Sequence, residues 1–600
     1  VRALPAEVVA AARAADVADE TLALVEEACA WTPELDNADR TAFGLLVLAL
    51  EAARGAGSTR LPLAGLGGSV ARLVTTPPAA LRPLFGAPGD YRPFLVEDGA
   101  LYAHRDWLVE QRLARRLAAH AAAAATPLAG SVDEAVAAAA PAGRTFDAEQ
   151  TLALRAALDR PLAVVTGGPG TGKTALLVGI VRALRRLGLA AEDLALAAPT
   201  GRAANRIAES LAAAGVADLP EPRTLHRLLG SRGNGLATGF RHHENYPLPQ
   251  RAVLVDEASM IDLELMERLA RAVAPGTRLV LLGDADQLPS VAAGAVFREL
   301  SALAVRLVGS HRQDPSAPAG ASVLAAARAV LQGDAAALAG PTRARPEELA
   351  WSGFERLASA PGLERRLVSA FADAWIRTRV LALPGYADLA RRPYHLDEAD
   401  ALGDADSTAA RALLDHHRRA RVLAVTREAG AATSADALNA QLLRRAAAAL
   451  DEPAPVEGGS PAPGTPVLVT RNDYDRGLFN GDQGVVVRAS RAGRAPEPIV
   501  VFPRGEALAT FSFASLRADL RVAYATTVHK AQGAELDHVA LVLPERDLPL
   551  LCRELVYTAL TRARHSAVVV GRSDLLAAAI ARPLERASGL AKRLETAMRG

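Results

Sequence analysis

Lys173 closes the run Gly167-Gly168-Pro169-Gly170-Thr171-Gly172-Lys173-Thr174, which fits the pattern G-x-x-x-x-G-K-[ST] at every position. In such a loop backbone N–H groups wrap the phosphates of a nucleoside triphosphate, and a compact ammonium reaches the β- and γ-phosphates. Only three of the 68 lysine and arginine residues are lysines, at positions 173, 530 and 592. A lysine in so arginine-rich a chain marks a place where a planar guanidinium does not serve. A second segment, Arg251 to Met260, is an apolar run ending in two adjacent acids, Asp256 and Glu257. Asp256 is expected to hold Mg²⁺ with the hydroxyl of Thr174, and Glu257 to orient and deprotonate a water attacking ATP. The plainer alternative for such a pair is a cap for the helix that follows. Further on, Gln287 follows another apolar run and offers a neutral donor and acceptor that would report the γ-phosphate without competing for the metal. Arg312 and Arg562 could stabilise charge on a transferred phosphoryl group from across a cleft, although a lone arginine in this chain is more often a surface ion pair.

These groups need a scaffold that brings them to one edge. From Phe146 onward short apolar runs alternate with helical patterns, the signature of a parallel sheet covered on both faces. The runs Leu162–Thr166, Leu194–Ala198, Ala252–Val255 and Leu279–Leu282 are predicted strands, and Ala175–Leu187 a helix that the Gly-rich loop opens. Residues 316–415 read as helical and alanine-rich. A second α/β unit begins with a strand at Arg421–Val425 and closes with one at Ala567–Gly571. Short strands at Pro466–Thr470, Gly484–Arg488, Ile499–Phe502 and Thr510–Phe513, with a turn at Asn480-Gly481, interrupt it as a small β-barrel. Residues 1–120 are mostly helical by pattern, and the alanine-rich stretch Ala118 to Arg144 reads as a linker or a loosely specified helix.

Taken together, the motifs resemble superfamily 1 helicases, and within them the RecD family. Pro199-Thr200-Gly201-Arg202 is similar to that superfamily's motif Ia, and Arg223-Thr224-Leu225-His226 to the DNA motif after it. Asp256-Glu257 resembles motif II, Gly283 to Gln287 motif III, Ser310-His311-Arg312 motif IV, Thr526 to Glu535 motif V, and Glu554 to Arg564 motif VI. They occur in order over about residues 146 to 571. Ala531 departs from the serine that relatives often carry. The resemblance implies two tandem RecA-like domains, at 146–325 and at 326–455 with 525–600. It also implies an SH3-like insertion at 456–524, a linker at 121–145 and an N-terminal subunit-docking domain at 1–120. It implies an adenine-reading Gln150, a nucleotide contact at Glu535, and DNA contacts at Thr200, Arg202, Thr224, His226, Asn480, Thr527 and His529. The implied activity is ATP-dependent 5′-to-3′ DNA translocation at duplex ends, with RecB and RecC as partner subunits and nuclease activity left to another subunit. The alternative is a stand-alone RecD-like helicase.

Composition bounds the rest. Six hundred residues, 50% hydrophobic and 22% charged, exceed one core and describe a globular chain of several domains. Net charge +1 neither demands nor excludes nucleic acid. Cys29 and Cys552 offer neither a disulfide framework nor a zinc cluster, and no apolar run is long enough to span a bilayer. A cytoplasmic protein with no membrane partner is expected.

Overall fold

The computed structural model describes residues 4–599 except 16, 142–144, 217, 232–238, 310–317, 428–430, 454–455, 457–458, 474, 492 and 506. The N-terminal region begins with helices α1 (Ala6–Ala14), α2 (Asp19–Ala30), α3 (Asn37–Gly55) and α4 (Gly68–Thr75). A small sheet packs with them, from β1 (Leu61–Pro62, between α3 and α4), β2 (Phe85–Gly86), β3 (Phe94–Glu97) and β4 (Ala100–Ala103), in the order β1-β4-β3-β2. The β3–β4 hairpin turns at Asp98-Gly99, both at positive φ (50° and 68°), as a tight turn of this kind requires.

The first parallel sheet contains β5 (Leu162–Gly167), β6 (Leu194–Ala198), β7 (Arg223–Thr224), β8 (Ala252–Val255), β9 (Arg278–Gly283) and β10 (Val305–Leu307). Its order is β10-β5-β9-β8-β6-β7, every pairing parallel. Burial on both faces explains why β5, β6, β8 and β9 read as unbroken apolar runs. Helices α5 (His104–Ala122), α6 (Val132–Ala138), α7 (Ala148–Asp159), α8 (Lys173–Arg186) and α9 (Gly201–Ala213) contribute to its two cores.

The second parallel sheet contains β11 (Thr342–Arg343), β12 (Gly353–Ala358), β14 (Ala420–Ala424), β20 (Ala525–Thr527), β21 (Leu536–Val542) and β22 (Ala563–Gly571), in the order β11-β12-β22-β21-β14-β20. Between β14 and β20 an antiparallel sheet is inserted, from β15 (Pro466–Val469), β16 (Gln483–Ser490), β17 (Glu497–Arg504), β18 (Ala507–Ser512) and β19 (Leu520–Val522), in the order β18-β17-β16-β15-β19. The short β13 (Tyr394–His395) adds to β16 in parallel.

Packing around residue 120 and in the stretch 316–415 differs from the expected layout. The stretch after residue 120 forms the helix α6, and Ala135 of α6 together with Ala139 just past its end is buried in the core beneath β5. Nor does the core respect a boundary at 120. Leu113, Ala114, Leu117 and Ala118 of α5 are at most 5% exposed and share the core under β8 and β9 with Leu590 and Leu594 of the helix Leu590–Arg599. Within the expected helical stretch 316–415, β12 is a strand of the second sheet, and its buried Glu355 accepts the N–H groups of Ala350 and Trp351.

Candidate active site and nucleic-acid cleft

The chemistry-bearing residues of the first sheet sit at the carboxyl ends of its strands, where open α/β sheets bind ligands. The loop after β5 turns through Gly170 and Gly172, at φ 80° and 81°, a conformation that favours glycine. Lys173 then starts α8, and its ammonium donates to the carbonyl oxygens of Gly167 and, at 3.0 Å, Gly168. Among the described residues Lys173 forms no ion pair. Gln150 is buried and engaged within the protein. Its Oε1 accepts the Asp147 N–H at 3.2 Å in a capping box, and its Nε2 donates to the Thr171 carbonyl at 3.1 Å. In this arrangement Gln150 braces the Gly-rich loop rather than lining the cavity below it.

Asp256 and Glu257 follow β8. Asp256 Oδ1 accepts the Glu257 N–H at 2.8 Å, and burial, then the neighbouring Glu257 carboxylate, pushes Asp256 up to about 6. A divalent cation beside Thr174 would relieve that crowding, so the residues fit a bound Mg²⁺. Glu257 stands at φ 53°, ψ 36°, the left-handed region that costs a non-glycine residue about 1 kcal/mol. It does not cap the helix that follows; Asp262 does, accepting the Leu265 N–H at 2.8 Å. After β9, Asp284 Oδ2 accepts from Gln287 Nε2 at 2.9 Å, while the buried Gln287 Oε1 has no hydrogen-bond partner among the described residues.

The second sheet domain closes the other side. Arg562 follows the buried helix Arg553–Leu560, and its guanidinium donates to the carbonyls of Thr558 (3.2 Å) and Ala534 (3.3 Å). Among the described residues it forms no ion pair, although it is 4% exposed. Arg206 of α9 pairs with Glu535, which also holds Arg564. The loop residues 169–174, Asp256, Glu257, Gln287, Arg206, Glu535 and Arg562 line one cavity of about 240 Å³. Lys173 and Arg562, one from each sheet domain, thus bring to a single chamber two cations that form no ion pair among the described residues.

A second cavity, of about 190 Å³, lies where both sheet domains meet the inserted sheet. Thr200, Arg202, Asn480, His529 and Lys530 line it together with Arg421. Burial, then Arg418, Arg206 and Arg562, hold the Arg202 guanidinium down to about 10, and burial, then Arg202, lowers Arg421 to about 9. A third cavity joins Arg202 and Arg418 to Arg206 and Glu535, so the cationic cleft leads to the chamber at the Gly-rich loop. His529 is lowered to about 4, first by burial, so it offers a neutral ring.

Two family models match the chain, an AAA domain at residues 150–293 and a UvrD-like helicase C-terminal domain at 522–570. The RecBCD enzyme subunit RecD of Mycolicibacterium smegmatis is 37% identical over 86% of this chain and 86% of its own. The ATP-dependent RecD2 DNA helicase of Deinococcus radiodurans is 31% identical over 81% of this chain and 57% of its own length. The chain belongs to the RecD family. Among solved structures, the Pif1 helicase from Candida albicans aligns with 72% of this chain and 96% of its own at 19% identity, with a TM-score of 0.38.

As an ATP-dependent helicase of the RecD family, the chain brings together at this chamber every nucleotide-site residue expected from sequence except Gln150, Gly167 and Gly168, which do not line it, and Arg312, which lies outside the described residues. The DNA candidates divide. Thr200, Arg202, Asn480 and His529 share the cleft, where Thr200 also caps α9 by accepting the Ala203 N–H at 3.3 Å. Thr527 accepts the Lys530 N–H at 3.4 Å, and it is the neighbouring Thr526 that lines the cleft. Thr224 caps the short helix Leu225–Leu228, and His226 lines a separate cavity with Arg54, Arg105 and Phe240 against the N-terminal region. Sequence reasoning missed Arg206, Arg418 and Arg421, because an arginine among so many carries no signal until folding brings it to a shared cavity.

Proposed function

We propose that this RecD-family chain is a 5′-to-3′ DNA translocase that works with RecB- and RecC-like subunits at duplex ends in the cytoplasm, its two parallel-sheet units acting as tandem RecA-like motor domains and its inserted sheet as an SH3-like module. The observation that supports this best is the pairing of Lys173 and Arg562 across one chamber, with a cationic cleft leading away from it. Thr174 and Asp256 would hold Mg²⁺, which neutralises charge on the β- and γ-phosphates when bound. Glu257 takes the proton of the attacking water. Gln287 offers that water the acceptor that its Oε1 leaves open, Lys173 binds the phosphates, and Arg562 stabilises charge on the transferred phosphoryl group. Arg202, Arg421 and Lys530 engage the phosphates of single-stranded DNA, so binding is weakly sequence-dependent and falls with salt.

The test is strand displacement on duplexes with a 5′ or a 3′ single-stranded tail, using the chain alone and with co-expressed RecB- and RecC-like subunits. Preference for the 5′ tail together with co-purification of the three chains supports the whole reading. Processive unwinding by the chain alone, without co-purification, favours a stand-alone helicase; a 3′ preference overturns the polarity.

A further inference from the structure

One carboxylate oxygen links the two halves of the motor. Asp284 Oδ2 accepts from Gln287 Nε2 at 2.9 Å on its own domain and from the Tyr557 hydroxyl at 3.1 Å on the other. Asp284 and Tyr557 are 1% and 4% exposed, so water does not compete for this contact. Two further cross-domain bonds flank it: the Leu288 N–H donates to Thr558 Oγ1 at 2.8 Å, and Gln532 Nε2 donates to the Leu288 carbonyl at 2.6 Å. The Tyr557 hydroxyl also stands over the phosphate loop, because a methyl group on Gly168 would lie 3.1 Å from it. Tyr557 therefore fixes the helix Arg553–Leu560, with Arg562 just beyond its end, against both the phosphate loop and the Gln287 segment.

We propose that Tyr557 is a positioning residue, which through its hydrogen bond to Asp284 sets Arg562 at the phosphate chamber in register with Gln287. The inference rests on the role of Arg562 given above and adds the device that aims it. Neither Tyr557 nor Asp284 lines the chamber, so the bond acts through residues that do. Removing a buried phenol hydroxyl without moving its ring leaves binding of the nucleotide largely unchanged and costs the geometry that is needed only during phosphoryl transfer.

The experiment is a double-mutant cycle on the full chain, reading KM for ATP and kcat in saturating single-stranded DNA. Tyr557→Phe is expected to lower kcat about tenfold with KM changed less than about twofold. In the Arg562→Ala background the same substitution is expected to lower kcat no further. Unchanged kcat in Tyr557→Phe, or an equal drop in both backgrounds, overturns the proposal. Ordinary turnover in Arg562→Ala alone overturns the Arg562 assignment first, and the positioning proposal with it. Should Tyr557→Phe not fold, Asp284→Asn is read in the same cycle, since an amide cannot accept from all three donors that the carboxylate serves, Asp286 N–H included.

Discussion

Arg206 and Glu535 form an ion pair across the cleft between the two sheet domains, and both side chains line the phosphate chamber. Glu535 thus places a negative charge where a triphosphate would lie and engages a guanidinium that the triphosphate could use. Glu535→Gln is expected to lower KM for ATP about threefold to tenfold, the range of a partly exposed ion pair worth ~1 kcal/mol. Arg206→Ala is expected to raise it. Steady-state ATP hydrolysis decides, and a raised KM in Glu535→Gln would restore the direct nucleotide contact that the family resemblance implies.

Glu257→Gln should bind ATP normally and hydrolyse it about a hundredfold to ten-thousandfold more slowly, since it keeps the shape and loses the base. Single-turnover hydrolysis measured beside nucleotide binding separates these. Lost binding with normal chemistry per bound ATP would make the acid a structural group.

Lys173→Gln should abolish DNA-stimulated hydrolysis while the thermal melt is preserved, because among the described residues its ammonium donates to loop carbonyls and glutamine supplies no charge. Turnover within a few-fold of the unsubstituted chain would refute the phosphate-cradle assignment.

Arg202→Ala should weaken single-stranded DNA binding similarly across sequences and reduce the log–log salt slope by about one. Fluorescence anisotropy at several salt concentrations measures this. An unchanged slope would place the DNA backbone elsewhere.

Leu117→Ala should destabilise the fold by about 2–5 kcal/mol, as expected for a fully buried leucine. Removal of residues 1–120 should therefore cost the cooperative melt rather than leave a working ATPase. A truncated chain that melts cooperatively and hydrolyses ATP would show that α5 is dispensable.

What the sequence disclosed follows physical range. The strand Leu162–Thr166 was legible to within one residue of β5 because a buried parallel strand is a bounded apolar run and the phosphate loop marks its end. β12 was hidden because Glu355 and Arg356 interrupt its apolar run, and only the fold supplies the N–H groups that satisfy Glu355. The β3–β4 hairpin carried a usable signal, Asp98-Gly99, which a helical reading of the N-terminal region passes over. Tyr557 and Asp284 meet only because two domains dock, and no local pattern encodes that. The loop and its acids were readable as local motifs; the groups that aim them were not.

The helix Leu590–Arg599 lies in the same core as α5 and the strands β8 and β9, so the first domain borrows its final piece from beyond the second. For a chain made from its N-terminus on a ribosome, this sets an order of maturation. The phosphate loop and its acids emerge early, yet the apolar seat for Leu590 and Leu594 stays open until the entire second motor unit and its insertion have been synthesised. The nascent first domain would spend that interval incompletely sealed, until the helix Leu590–Arg599 emerges and closes it.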